Sequence, residues 1–400
     1  MTLFILLIVR SLLTDISKSC QNSSCKVTPQ RLIRDSYILS SCIPHFFPLP
    51  STDMKAVFTI AGARVQVRDT EIPIPKEEQV LVKMVAVAQN PTDWKTIKLA
   101  RVVGAIVGTD YAGTIAGVGP GVDDEKYKLG DRVAGVLHGS LNKNGAFAEY
   151  ALVPVHSLIR IPDSWTFEEA AQLGVGTTTT CQCFWQSQNL PKPFERPSSP
   201  PTTVLIWSGA SATGHYAIQF AKLSGMRVIT TSSPKHWDRL KALGADACFD
   251  YNDPEVSEKI RAYTENKLKY AVDCFSEKTS FQKISDALSE EGGTISCLFP
   301  SPYKLRAGIK LKFTLAYDLL AEPYKFPKVY NPRAEDKAFG DWATDLVSEV
   351  LKSGKLVPLP MKLYPNGLAS VQEGLRYMQE GKVSAEKITY RISDTPGIEA

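Results

Sequence analysis

One strand–turn–helix junction constrains this chain more than any other feature of its sequence. The apolar run Val204-Leu-Ile-Trp leads directly into Ser208-Gly209-Ala210-Ser211-Ala212-Thr213-Gly214, and a helical stretch follows from Tyr216 to Ser224. Gly209 permits a tight turn, Gly214 lets helix and strand approach closely, and the helix N-terminus offers unpaired N–H groups suited to a pyrophosphate. Ser211 stands where the middle glycine of G-x-G-x-x-G would be, so the bare motif is moderate and its context carries the weight. That context is a repeated alternation: Arg227-Val-Ile-Thr-Thr, a helix from Trp237 to Leu243, Ala247-Cys-Phe-Asp, a helix around Glu255 to Tyr263, Tyr270-Ala-Val-Asp, a helix from Phe281 to Leu288, and Gly293-Thr-Ile-Ser-Cys-Leu. Apolar strands alternating with helices imply a doubly wound parallel sheet covered on both faces, hence an α/β dinucleotide-binding domain.

The end of the second strand of such a domain selects the cofactor, because an Asp or Glu there holds the ribose 2′-OH of NAD. This chain reads Thr230-Thr231-Ser232-Ser233-Pro234-Lys235-His236, with Arg239 close behind. Hydroxyls and a cation await a 2′-phosphate and no carboxylate repels it, so NADPH is the expected cofactor.

Upstream, residues 54 to about 155 alternate in short runs broken by Gly and Pro, such as Val80-Leu-Val-Lys-Met-Val-Ala-Val and Tyr111-Ala-Gly-Thr-Ile-Ala-Gly-Val, which predicts a β-rich module. A helix starting at Ser164 or Thr166, with Glu168 and Glu169 in its first turn, leads into Leu173-Gly-Val-Gly-Thr-Thr-Thr-Thr. After Pro300 an irregular, Pro- and Tyr-rich segment extends from Pro302 to Phe339; a helix from Asp341 to Ser353 and a strand-rich end follow, able to close back onto the first module. Domain limits are expected at 54–175 with 330–392 for the β-rich module and 176–329 for the nucleotide domain. Residues 1–53 lack a clear period and read as a poorly ordered extension or a gene-model artefact, with a secretory signal as the alternative. The apolar stretch Leu3 to Val9 is far shorter than the ~20 residues of a spanning helix.

With 46 basic and 42 acidic residues, a net charge of +4 and no sustained basic run, nothing points to nucleic acid or a membrane, so a small-molecule substrate is expected; a cytoplasmic location and a monomeric state are separate expectations. The eight cysteines, Cys20, Cys25, Cys42, Cys181, Cys183, Cys248, Cys274 and Cys297, show no C-x-x-C pair in the body of the chain. Buried free thiols in a reducing compartment explain them better than a metal site.

The succession Asn90-Pro91-Thr92-Asp93-Trp94-Lys95, Gly108-Thr109-Asp110-Tyr111-Ala112-Gly113, Gly130-Asp131-Arg132-Val133, Gly145-Ala146-Phe147-Ala148-Glu149-Tyr150 and the glycine turn resembles the medium-chain dehydrogenase/reductase superfamily over residues 54 to about 392. Within it the chain is most similar to the trans-acting enoyl reductases of fungal highly reducing polyketide synthases, which share N-P-x-D-W-K, a loop like Thr231-Ser232-Ser233-Pro234 and an F-D-Y like Phe249-Asp250-Tyr251. The resemblance implies a Rossmann-type domain beside a GroES-like catalytic domain. It also implies a zinc-free enzyme: Asn90 and Thr109-Asp110 stand where zinc alcohol dehydrogenases carry Cys and His-Glu ligands, and the four-cysteine lobe is missing. The partner it implies is a polyketide synthase presenting an α,β-unsaturated acyl thioester on its carrier.

By the same resemblance, Lys95 is the foremost candidate for a chemical or positioning role, and NADPH is expected to meet Thr92, Asp93, Trp94, Lys95, Ala210, Ser211, Ala212, Thr213, Ser233, Pro234, Lys235, His236, Tyr251, Leu298, Phe299, Val383 and Ser384. Substrate contacts are expected from Val175, Gly176, Thr177, Thr178, Thr179, Thr180, Cys181 and Gln182 and from Asp318, Leu319, Leu320, Ala321 and Glu322. Thr177 is the second catalytic candidate, a hydroxyl able to donate to the thioester oxygen; a capped helix start is the structural alternative. His138 and His215 invite a general-acid reading, although a lone histidine is more often structural. Two other functions remain open: a stand-alone zinc-free quinone or enone oxidoreductase, and a non-catalytic NADPH-binding redox sensor or scaffold.

Overall fold

Strand Thr203–Trp207 sits at the centre of a six-stranded parallel sheet, where Val204, Leu205 and Ile206 are fully buried because helices cover both faces. Spatially the strands run Ala247–Phe249, Arg227–Thr231, Thr203–Trp207, Tyr270–Asp273, Gly293–Cys297, Ile309–Phe313, each parallel to its neighbour. The order therefore reverses between Thr203–Trp207 and Tyr270–Asp273, which opens a crevice at the C-terminal ends of these two strands. This computed structural model describes residues 53–277, 279–301, 303–325 and 328–399. The expectation for residues 1–53 falls, except for Asp53, outside the described residues, as do Cys20, Cys25 and Cys42.

The sixth strand, Ile309–Phe313, corrects the expectation of an irregular segment from Pro302 onward. It is an edge strand whose Lys310 and Lys312 are exposed, and lysines that blunt an edge also break the apolar run that marks inner strands. The helix expected from Tyr216 starts earlier, at Ala212, because the Ser211 hydroxyl caps it by accepting from Gly214 N at 3.1 Å. The helix expected from Asp341 spans Ala334–Lys352.

The β-rich lobe is a seven-stranded sheet, antiparallel apart from one pair. Its path is Met361–Tyr364, Lys387–Arg391, Gln79–Ala88, Asp110–Val118, Arg132–Val136, Leu158–Arg160, with Tyr150–Pro154 also paired to Gln79–Ala88. The C-terminal strand thus completes a sheet begun by residue 79, flanked by the hairpin Asp53–Ile60 and Arg64–Glu71. In Gln79–Ala88 the buried Val80, Val82 and Met84 alternate with more exposed residues, as a one-sided sheet requires; Ala86, Val87 and Ala88 are then all buried. Ala86, Ala88, Ala112 and Ala134 share one apolar core with Val204, Ile206 and Tyr216, so the two lobes are welded beside the crevice. Helix Phe167–Ala170 begins at Thr166 in a capping box with Glu169, matching the expected start.

Candidate active site

The crevice is walled on the nucleotide side by the turn after Thr203–Trp207. A Cβ on Gly209 would stand 2.1 Å from Thr230 Oγ1, and one on Gly214 2.4 Å from the Ser208 carbonyl oxygen, so both positions require glycine. Ser208 adopts φ 63° while its N–H donates to Thr231 Oγ1 at 3.0 Å. Ala210, Ser211, Ala212 and Thr213 therefore lie at a helix N-terminus whose backbone can be approached closely. Beyond the second strand, Ser233 Oγ lies 3.1 Å from Tyr251 OH, and Pro234 and Lys235 are exposed. His236 Nε2 lies 3.4 Å from Ser384 Oγ, and Arg239 donates to the Ala385 carbonyl oxygen at 2.9 Å, so the C-terminal segment with Val383 and Ser384 is laid against the cofactor-selecting loop.

From the β-rich lobe, helix Pro91–Ala100 carries Trp94 and Lys95 into the crevice. Lys95 Nζ is ion-paired with Glu277 and stands 5.5 Å from the Phe299 ring centroid and 5.7 Å from that of Trp94. Leu298 N donates to Ser276 Oγ at 2.8 Å, tying the Phe299 segment to the turn that bears Glu277. Thr92 Oγ1 is 2.6 Å from Tyr317 OH. Asp93 is not exposed to the crevice. It accepts from Asn90 N at 2.7 Å, and burial together with the charge of Asp110 pushes its carboxyl up to about 7.

Substrate-side candidates converge in part. Val175 packs with Val136, Tyr317, Leu320 and Tyr324 in a small apolar cluster, and the His138 ring stacks on Tyr317 at 3.6 Å. Asp318 accepts from Tyr324 OH at 2.6 Å, and the carbonyls of Leu319 and Leu320 lie 3.2 and 3.1 Å from His156 Nε2. Ala321 ends the turn with φ 52°, which sends the exposed Glu322 toward Gln79. The Thr177 hydroxyl, expected as a free donor, instead donates to the Leu173 carbonyl at 2.8 Å, and Thr180 likewise to Gly176. Hydroxyls within helices commonly bond back one turn in this way. Gly176, Thr178, Thr179, Cys181 and Gln182 are buried. Gln182 donates to the Leu315 carbonyl at 3.1 Å. His215 is structural, its Nε2 lying 2.7 Å from the Val357 carbonyl.

Sequence reasoning missed Lys387. Its buried ammonium donates to Asn90 Oδ1 at 2.6 Å and to Asp110 Oδ2 at 2.8 Å, while Asn90 Nδ2 donates to Thr109 Oγ1 at 3.0 Å. The other Asp110 oxygen accepts from Val175 N at 2.7 Å at the start of helix Gly174–Cys181. That helix has no side-chain cap from its own N-cap residue, so the carboxylate on a distant strand serves it instead. Burial pushes the Asp110 carboxyl up and Lys387 opposes the shift. The signal in the sequence is slight, a lysine opening the mixed strand Lys387-Ile-Thr-Tyr-Arg.

The alcohol dehydrogenase GroES-like domain profile matches residues 76–163, and the zinc-binding dehydrogenase profile matches residues 212–303. The chain is 35% identical over 349 residues to the trans-enoyl reductase buaC of Petromyces alliaceus, covering 86% of this chain and 98% of that protein. It is 35% identical over 362 residues to the trans-enoyl reductase caaB of Aspergillus niger, covering 86% and 98%. Among solved structures, an alcohol dehydrogenase superfamily protein from Novosphingobium aromaticivorans superposes with a TM-score of 0.71 at 22% identity, covering 85% of this chain and 99% of that one. The CurK enoyl reductase superposes at 0.66 and 18% identity, with the same coverage. The zinc named by the second profile does not fit the residues present. The three positions the resemblance assigns to ligands hold an amide, a hydroxyl and a carboxylate, hydrogen-bonded to one another or to an ammonium where a metal cation would have to stand.

Proposed function

Because this chain belongs to the trans-enoyl reductases of the medium-chain dehydrogenase/reductase superfamily, we propose that it reduces the α,β double bond of an acyl thioester carried by a highly reducing polyketide synthase, with NADPH and without a metal. The observation that carries the metal-free part is Lys387, which occupies with its own charge the space among Asn90, Thr109 and Asp110. A site without a Lewis acid suits a conjugated acceptor better than an alcohol, because charge developing at the thioester oxygen needs only hydrogen-bond donors.

Bound NADPH supplies the hydride that adds to the β-carbon. The close backbone at Gly209 and Gly214 and the N-terminus of helix Ala212–Leu223 would hold its pyrophosphate; Ser233, Lys235 and His236 would take the 2′-phosphate. Lys95 would hold the nicotinamide ribose or donate to the enolate oxygen as the electron pair shifts there, and the α-carbon would then take a proton from water as the carbonyl re-forms. Val175, Leu320, Tyr317 and Tyr324 form an apolar wall for the acyl chain. Fully buried and with its hydroxyl engaged by Leu173, Thr177 is the weaker candidate for a donor.

Lys95→Ser is expected to lower turnover of a crotonyl-type thioester about ten-fold or more, which is about 1.4 kcal/mol of barrier, while the melting temperature stays close to that of the wild type. Steady-state rates beside a melting curve check it. Wild-type protein that reduces quinones but no enoyl thioester would replace this reading with that of a stand-alone quinone reductase.

A further inference from the structure

The crevice holds a carboxylate that no role above requires. Glu277 comes from the nucleotide lobe, just beyond the C-terminal end of strand Tyr270–Asp273, and pairs with Lys95 from the other lobe. A negative side chain beside the path of a polyanionic cofactor is unfavourable unless it does something there. Stability does not explain it, because both partners are partly exposed and such pairs contribute little.

The turn that presents Glu277 is built with unusual care. The buried Asp273 carboxylate accepts from the backbone N–H of Phe275 at 3.1 Å and of Ser276 at 2.8 Å, and from Ser280 Oγ at 2.6 Å. Ser276, held at φ 55°, donates through its hydroxyl to the Asp273 carbonyl at 2.7 Å. The same hydroxyl accepts from Leu298 N at 2.8 Å. The residues next to Glu277 and Phe299 are therefore tied into one hydrogen-bonded unit, with Glu277 paired to Lys95 and the Phe299 ring centroid 5.5 Å from its ammonium. A lysine ammonium on four rotatable bonds would otherwise sample many positions in an open crevice.

We propose that Glu277 is a positioning residue that holds the Lys95 ammonium across the crevice, so that the nicotinamide ribose and the developing enolate meet a fixed donor. The proposal rests on the role given to Lys95 above. In this arrangement Glu277 acts through Lys95 alone, so removing it matters only while Lys95 is present.

A double-replacement cycle tests this, with NADPH dissociation constants read by fluorescence and crotonyl-thioester rates read beside them. Lys95→Ser and Glu277→Gln are each expected to raise the NADPH dissociation constant about three- to ten-fold, and the double variant no further than the worse single one. Glu277→Asp should recover part of the loss. Melting temperatures within a few degrees of the wild type would set the effect apart from a merely structural one. Fully multiplying effects, or a Glu277→Gln protein that binds NADPH like the wild type while Lys95→Ser does not, would overturn the proposal. If the wild type fails to reduce the thioester yet the binding cycle shows the coupling, the positioning role stands and the substrate assignment falls.

Discussion

The two lobes hold their functional groups in opposite ways. On the nucleotide side the cradle is local: Ser208 to Gly214 form one turn, and the capping hydroxyl, the close-packed glycines and the helix N-terminus lie within seven consecutive residues. On the β-rich side the buried polar centre gathers Asn90, Thr109, Asp110 and Lys387 from three separate strands or their ends, with Lys387 297 residues from Asn90. A local site is half-buried and self-contained, because each group is held by its own backbone. A gathered site is buried and interdependent, because each charge or dipole is compensated only by the others.

The sharpest way to break that comparison is Lys387→Met. It leaves the Asp110 carboxylate buried without a cation, and a loss of about 3–5 kcal/mol in unfolding free energy is expected by denaturant titration. Adding Asp110→Asn should restore much of the loss; a Lys387→Met protein as stable as the wild type would show that the network is not interdependent.

Acid should also act on the β-rich side. Burial holds His138 down to about 3, whereas an unfolded histidine titrates near 6.5. The unfolded chain therefore binds the proton first as pH falls, so this contribution to stability is complete above pH 6.5 and is lost as pH drops toward 3. Between pH 6.5 and pH 5 it amounts to about 2 kcal/mol, so His138→Phe, which keeps a ring on Tyr317, should gain about that much stability relative to the wild type as the pH falls; Asp93, raised to about 7, acts with the opposite sign in both proteins. His215, lowered to about 4, would leave a residual slope of nearly the same size over this window.

On the nucleotide side, Lys235→Glu should weaken NADPH binding about ten-fold while NADH binding changes little, because a carboxylate then faces the 2′-phosphate. Equal losses for both cofactors would show that the loop does not read the phosphate. The smallest effect is expected from Thr177→Val: turnover within about two-fold of the wild type, since the hydroxyl already serves the Leu173 carbonyl. A ten-fold loss would restore Thr177 as a donor.

Legibility followed the same division. The α/β alternation, the glycine turn and the cap at Thr166 could be read because each is written in consecutive residues. Lys387 could not, since its meaning depends on acceptors 277 and 297 residues away. The lysines of Ile309–Phe313 disguised an edge strand as a loop. Thr177 is hard to read for a different reason: four adjacent hydroxyls look available in a sequence, and only the helix shows which of them turn back on its own carbonyls.

The C-terminal strand Lys387–Arg391 also sets an order of events during synthesis. At roughly 5–20 residues per second, a ribosome releases Lys387 about 15 to 60 s after Asn90. In that interval the whole parallel sheet, Thr203 through Phe313, has been made and can fold as a contiguous unit. The lobe begun first is thus finished last, and a nascent chain stopped before residue 387 carries Asp110 with no cation to bury it against, which marks incomplete molecules by their own instability.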